Sequence, residues 1–155
     1  MRGWLVDTNV IASLIAPNGA PSVKQWARDI DEADLFLSVL TLAEYDKGIA
    51  NLQPGDANSA RFAAARDALE ARFRGRILSL EDAIIRRWGV ISGRVKRETG
   101  HAPPVVDTLL AATAIGNDLY LVSRNAKDLA DSGAIVFDPW RDAAIDFPLT
   151  RFGRR

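Results

Sequence analysis

An α/β domain with a central parallel sheet of four to five strands, covered by helices on both faces, is predicted by three observations. Short apolar runs at Trp4-Leu5-Val6, Leu35-Phe36-Leu37-Ser38-Val39 and Leu119-Tyr120-Leu121-Val122-Ser123 have the length of buried strands. They alternate with longer stretches whose apolar residues recur at helical spacing, the pattern of β-α-β units. The chain has 155 residues, 48% of them hydrophobic and 26% charged, enough for one domain with a well-buried core.

Strand one, Trp4–Val6, ends on Asp7, and Val10-Ile11-Ala12-Ser13-Leu14-Ile15 resumes with helical character. Residues 16–21, with two prolines and a glycine, form a loop. Ser22 is expected to cap a short helix with Val23, Trp26, Ala27 and Ile30 on one face. Strand two is Leu35–Val39. Thr41 then opens a helix whose apolar face is Leu42, Tyr45, Ile49 and Leu52, and Pro54-Gly55-Asp56 breaks it. The next helix starts at Asn58 or Ser59, carries Phe62, Ala65, Leu69 and Phe73, and ends at Gly75. Arg76–Leu80 is a short third strand. A long helix from Asp82 to Glu98 buries Ile84, Trp88, Ile91 and Val95 and stops at Gly100; its basic residues read as a solvated face.

A Pro-rich loop, His101-Ala102-Pro103-Pro104, leads into a helix from Val105 to Gly116, whose alanines predict close packing. Strand four is Leu119–Ser123. Arg124–Leu129 is a polar turn or short helix, and Ile135–Phe137 is the last strand, closed by Asp138-Pro139-Trp140. The domain is expected over residues 1–140, with 141–155 a C-terminal tail, partly disordered.

Composition narrows the chemistry. There is no cysteine and a single histidine, His101. Thiol catalysis, disulfides and zinc sites built on thiolates or several histidines are excluded. A metal must be held mainly by oxygen, which points to Mg²⁺ or Mn²⁺. The 20 basic and 20 acidic residues balance, which argues against coating nucleic acid through bulk charge. The N-terminal apolar run is broken by Asp7 and reads as neither signal peptide nor membrane span, so a cytoplasmic protein is expected.

The polar residues at strand ends carry the functional signal. Asp7 ends strand one, Glu44 is expected in the first turn of the helix after strand two, Asp107 in the first turn of the helix leading to strand four, and Asn125 and Asp128 follow strand four. Loops after parallel strands share one sheet edge, and a helix running back against the strands starts there too. Carboxylates gathered at one edge call for a counter-charge. A divalent cation supplies it and equips the site for phosphodiester hydrolysis, which needs neither His nor Cys. Each residue also has a purely structural use. Asp7 can cap a helix, Thr41-x-x-Glu44 is a capping-box pattern, Asp107 suits a helix N-terminus, and Asn125 and Asp128 suit a turn.

The segments Leu5-Val6-Asp7-Thr8-Asn9, Thr41-Leu42-Ala43-Glu44-Tyr45, Asp107 to Ala114 and Val122-Ser123-Arg124-Asn125-Ala126-Lys127-Asp128-Leu129 together resemble the PIN-domain family. Within it they look like the VapC/FitB-type toxins, as does the ending Val136-Phe137-Asp138-Pro139-Trp140. The resemblance implies an α/β/α sandwich and a Mg²⁺- or Mn²⁺-dependent endoribonuclease acting on RNA. It also implies a homodimer inhibited by a small antitoxin with a DNA-binding domain. It casts Asp7 and Asp107 as principal metal ligands and Glu44 as the group that orients the attacking water or holds metal through water. Asp128 has a supporting catalytic role, Asn125 contacts water or metal, and Thr8, Asn9 and Ser123 hydrogen-bond around the ligands. Two rivals stand beside this reading. One is a non-catalytic PIN-fold scaffold. The other is an aspartyl-nucleophile phosphatase, which wants a second Asp two residues after the first where this chain has Asn9.

Overall fold

The computed structural model describes residues 1–150. Five parallel strands, β1 (Trp4–Val6), β2 (Leu35–Ser38), β3 (Ile77–Leu78), β4 (Tyr120–Val122) and β5 (Val136–Phe137), form one sheet in the order β3-β2-β1-β4-β5. The helices are α1 (Thr8–Ile15), α2 (Pro21–Asp29), α3 (Val39–Ala50), α4 (Asn58–Arg72), α5 (Asp82–Thr99), α6 (Val105–Gly116) and α7 (Ala126–Leu129). The predicted parallel α/β sandwich is therefore the fold.

All three side chains of β1 are buried. Because strand side chains alternate in direction, Trp4 and Val6 enter one core while Leu5 enters another. The first includes Val10, Val23, Trp26, Leu37 and Phe137; the second is built with Leu110, Ala111, Ala114 and Leu121 on the opposite face. The alanines of α6 are fully buried, as their small size predicted. Gly100 ends α5 at φ 81°, a left-handed conformation open to glycine without a Cβ clash.

Several boundaries differ from expectation. Strand two ends at Ser38 and not at Val39, because the Ser38 hydroxyl accepts the Leu40 N–H at 3.1 Å and caps α3. Thr41 thus lies inside the first turn of α3 and is not its cap. Proline takes the first position of α2, where its missing N–H costs nothing, so Ser22 is not the cap. The third strand shrinks to Ile77–Leu78. The stretch expected as a tail also packs down. Phe147 stacks on Trp4, Tyr120 and Phe137, and the Tyr120 hydroxyl donates to the Pro148 carbonyl at 2.9 Å. Its last residues, 151–155, lie outside the described residues. Among the described residues no helix is long and apolar enough to cross a membrane.

Candidate active site

The strand order reverses direction between β1 and β4, since β2 and β3 continue on one side and β4 and β5 on the other. Crevices at such switch points, beyond the carboxyl ends of the strands, are where open α/β sheets bind ligands. Asp7 follows β1 there, Ser123 follows β4, and the Asp7 N–H donates to the Val122 carbonyl at 2.9 Å, joining the two strand ends.

Asp7 is buried at 5% exposure and caps α1. Its Oδ1 accepts the Thr8 N–H at 2.6 Å. Its Oδ2 accepts the Ser123 hydroxyl at 2.7 Å and the Asn9 side-chain amide at 3.1 Å. An ionised carboxylate has about four acceptor positions, so the three donors leave room on Oδ1. The residues that hold Asp7 are tied in turn to β4. Asn9 Nδ2 also donates to Ser123 Oγ at 3.3 Å, and Asn9 Oδ1 accepts the Arg124 N–H at 3.2 Å. Ser123 Oγ accepts the Asn125 N–H at 3.0 Å. Ser123 is fully buried. Ser123→Ala removes the donor to Asp7 and strands the Asn125 N–H, at an expected cost of about 1–3 kcal/mol; urea denaturation of the two proteins checks it.

Glu44 and Asp107 reach the same cleft from α3 and from the first turn of α6. The Thr8 hydroxyl, bonded to the buried Thr41 hydroxyl at 3.2 Å, links α1 to α3 beside Glu44. The cleft, about 810 Å³, is lined by Asp7, Thr8, Asn9, Glu44, Asp107 and Asn125 together with further residues of α3. Asp128 is exposed and does not line it, but its charge is felt at Asp107. Of the expected site residues, the cleft thus gathers six directly. Ser123 lies beneath, and Asp128 acts from outside the lining. Lys47, Gly48 and Asn51 also line it. Their spacing of three, four and seven residues from Glu44 would have marked the same helix face.

The acids carry the electrostatic signature of an uncompensated cluster. Burial is the main cause that raises the pKa of each above the usual carboxylate value. It is offset at Asp7 by its three hydrogen-bond donors. Glu44 is raised further by the charges of Asp7 and Asp107, against the opposing pull of the Thr8 hydroxyl and Lys47. Asp107 is raised further by Asp7 and Asp128. Raised carboxylates bind protons in the folded state that the unfolded chain does not. In EDTA, their contribution to stability is therefore unfavourable at neutral pH and is relieved as pH falls through the raised values. Asp107→Asn is expected to stabilise the EDTA-treated protein at neutral pH, with the advantage over wild type shrinking on acidification. Thermal melts across the acid range read this directly.

An all-oxygen donor set with excess negative charge suits a hard divalent cation. The three acids border an open cleft without forming a closed cage: among the described residues no group of three or more His, Asp or Glu side chains is arranged to hold an ion. The fit to Mg²⁺ or Mn²⁺ thus rests on the chemistry of the donors and the open acceptor position on Asp7.

The PIN domain profile matches residues 4–132. Toxin FitB of Neisseria gonorrhoeae is 28% identical over 138 residues, covering 89% of this chain and 99% of that protein. VapC ribonuclease Y4jK of Sinorhizobium fredii is 24% identical over 139 residues, covering 90% and 99%. The structure of FitAB bound to an IR36 DNA fragment superposes with a TM-score of 0.79 at 26% identity, covering 90% of this chain and 97% of that one. The chain belongs to the PIN-domain family, and its likeness within that family is to the VapC and FitB toxins.

Proposed function

We propose that this PIN domain is the toxin of a type II toxin–antitoxin pair and acts as a Mg²⁺- or Mn²⁺-dependent endoribonuclease. The observation that carries the proposal is the gathering of Asp7, Glu44 and Asp107 around one cleft, in a chain similar to a toxin and to a VapC ribonuclease over nearly its whole length.

Asp7 and Asp107 would hold the ion, and Glu44 would hold it through water. When bound, the ion supplies positive charge against phosphoryl oxygens and lowers the pKa of water. The chain's own groups do the rest. Ser123, Asn9 and the Thr8 N–H fix the Asp7 carboxylate, and Oδ1, with a single donor, keeps an acceptor position unused. Glu44, its proton affinity raised by burial and neighbouring acids, takes a proton from the attacking water onto its carboxylate. Asn125, at the cleft lip, offers a neutral hydrogen bond to water or phosphate. Asp128 supports the site through its charge on Asp107. In-line attack at phosphorus, with the 3′ oxygen as leaving group, gives a 5′-phosphate and a 3′-hydroxyl.

FitB is named a toxin and its counterpart structure is a FitAB assembly on DNA. By analogy, the partner proposed here is a small DNA-binding antitoxin that covers the acidic cleft. We further propose a cytoplasmic homodimer. The test is incubation of the purified, antitoxin-free chain with total RNA in Mn²⁺, in Mg²⁺ and in EDTA, with analysis of product ends. Metal-dependent fragments bearing a 5′-phosphate are expected. No cleavage together with no Mn²⁺ binding in calorimetry would favour the scaffold reading.

A further inference from the structure

Leu40, Ala43, Glu44, Lys47, Gly48 and Asn51 all line the cleft. Their spacings of three and four make them a single stripe along one face of α3. From Glu44 to Asn51 that stripe runs about 10 Å at 1.5 Å per residue. Along it the chemistry changes from acid to base to neutral amide. Lys47 is exposed, forms no ion pair among the described residues, and is the only basic side chain among the described residues that line the cleft. Gly48 sits in the interior of a helix, where glycine is among the poorest choices. Neither conformation nor packing demands it: its φ is not positive, and an added Cβ would meet nothing within 4 Å. What glycine does there is leave the cleft wall open.

A polyanion that must approach three carboxylates needs a cation on its path. A cleft of about 810 Å³ is of small-molecule dimensions. Those dimensions match a short stretch of unpaired nucleotides, the form in which RNA is most often read.

Resting on the ribonuclease reading, we propose that this face of α3 is the track of single-stranded RNA away from the acid cluster. Lys47 binds the phosphate next to the scissile one, Gly48 admits the adjoining ribose, and Asn51 hydrogen-bonds the nucleotide beyond. Lys47 is thus a substrate-binding residue for the backbone, independent of base sequence.

The test is steady-state cleavage of a labelled single-stranded RNA in Mg²⁺ at several salt concentrations, with the full chain. Lys47→Gln is expected to raise KM by about 3–10-fold with little change in kcat. It should also lower the salt slope of log(kcat/KM) by about 0.7, the value of one phosphate contact on a single strand. Lys47→Arg should restore both. Gly48→Leu should raise KM without lowering the melting temperature. An unchanged KM and salt slope in Lys47→Gln would overturn the proposal. So would an effect confined to kcat and its pH profile, since Lys47 would then act only through Glu44. If wild type cleaves RNA and the Lys47 and Gly48 variants match it, only the track falls. If wild type cleaves no RNA, the ribonuclease reading falls with it.

Discussion

Asp7→Asn is expected to reduce metal-dependent RNA cleavage by about 10²–10⁴-fold, the equivalent of several kcal/mol of electrostatic stabilisation, in a protein that stays folded. Asparagine is as good a helix cap as aspartate, so α1 keeps its start. Its single oxygen, however, can serve either the Thr8 N–H or the Ser123 and Asn9 donors that now share the carboxylate. The loss of one hydrogen-bonded arrangement and the relief of a buried charge oppose each other. The net stability change is expected to stay within about 2 kcal/mol. Circular dichroism and a cleavage time course on the same preparation separate the two effects. Cleavage at the wild-type rate would remove Asp7 from the reaction.

Trp4→Ala is expected to destabilise the fold by about 3–5 kcal/mol, a large share of a small domain's stability. Trp4 is 1% exposed and stands at the centre of an aromatic cluster. Its ring lies 5.7 Å from Trp26, 5.0 Å from Tyr120, 5.1 Å from Phe137 and 6.5 Å from Phe147. These are the separations of favourable edge and tilted contacts. Since Asp7 lies three residues further along the same chain segment, loosening this cluster also loosens the start of the site. Urea denaturation measures the loss; a change below about 1 kcal/mol would mean that the cluster does not anchor β1.

The sheet was legible because its strands are short, apolar and followed by polar residues that could only lie at an edge. Asp7 stood out by its company: alone, an acid directly after Trp4-Leu5-Val6 reads equally well as a helix cap, which it also is, and only the other acids at the same edge mark it as a site residue. Glu44 was harder. Thr41-x-x-Glu44 reads as a capping box, but Ser38 already caps the helix three residues earlier, so Glu44 is released from capping and joins the cleft lining. Which of two plausible caps wins depends on where β2 stops pairing, a tertiary matter that local pattern does not encode.

The helix face bearing Lys47 and Gly48 was open to inspection by spacing alone. Lysine and glycine, however, carry no motif of their own. Phe147 and Leu149 could not be read at all. They stand in an irregular segment without periodicity, and only the folded chain brings them onto the Trp4 cluster. The short α7 separates the roles of Asn125 and Asp128. Asn125, just before the helix, lines the cleft, whereas Asp128, within it, is exposed and reaches the site only through its charge.

The measurement that bears most directly on the acidic cleft as a metal-dependent ribonuclease site is single-turnover cleavage of end-labelled RNA. Wild type and Asp107→Asn would be compared in Mg²⁺ and in EDTA. Asp107 is half-buried in the first turn of α6, and its proton affinity is set by burial and neighbouring charge with no hydrogen bond, so its replacement by the isosteric amide is expected to keep the fold. Discrete fragments from wild type in Mg²⁺, lost both in EDTA and in the variant, are the predicted result. Fragments that persist undiminished in Asp107→Asn, or in EDTA, would contradict it.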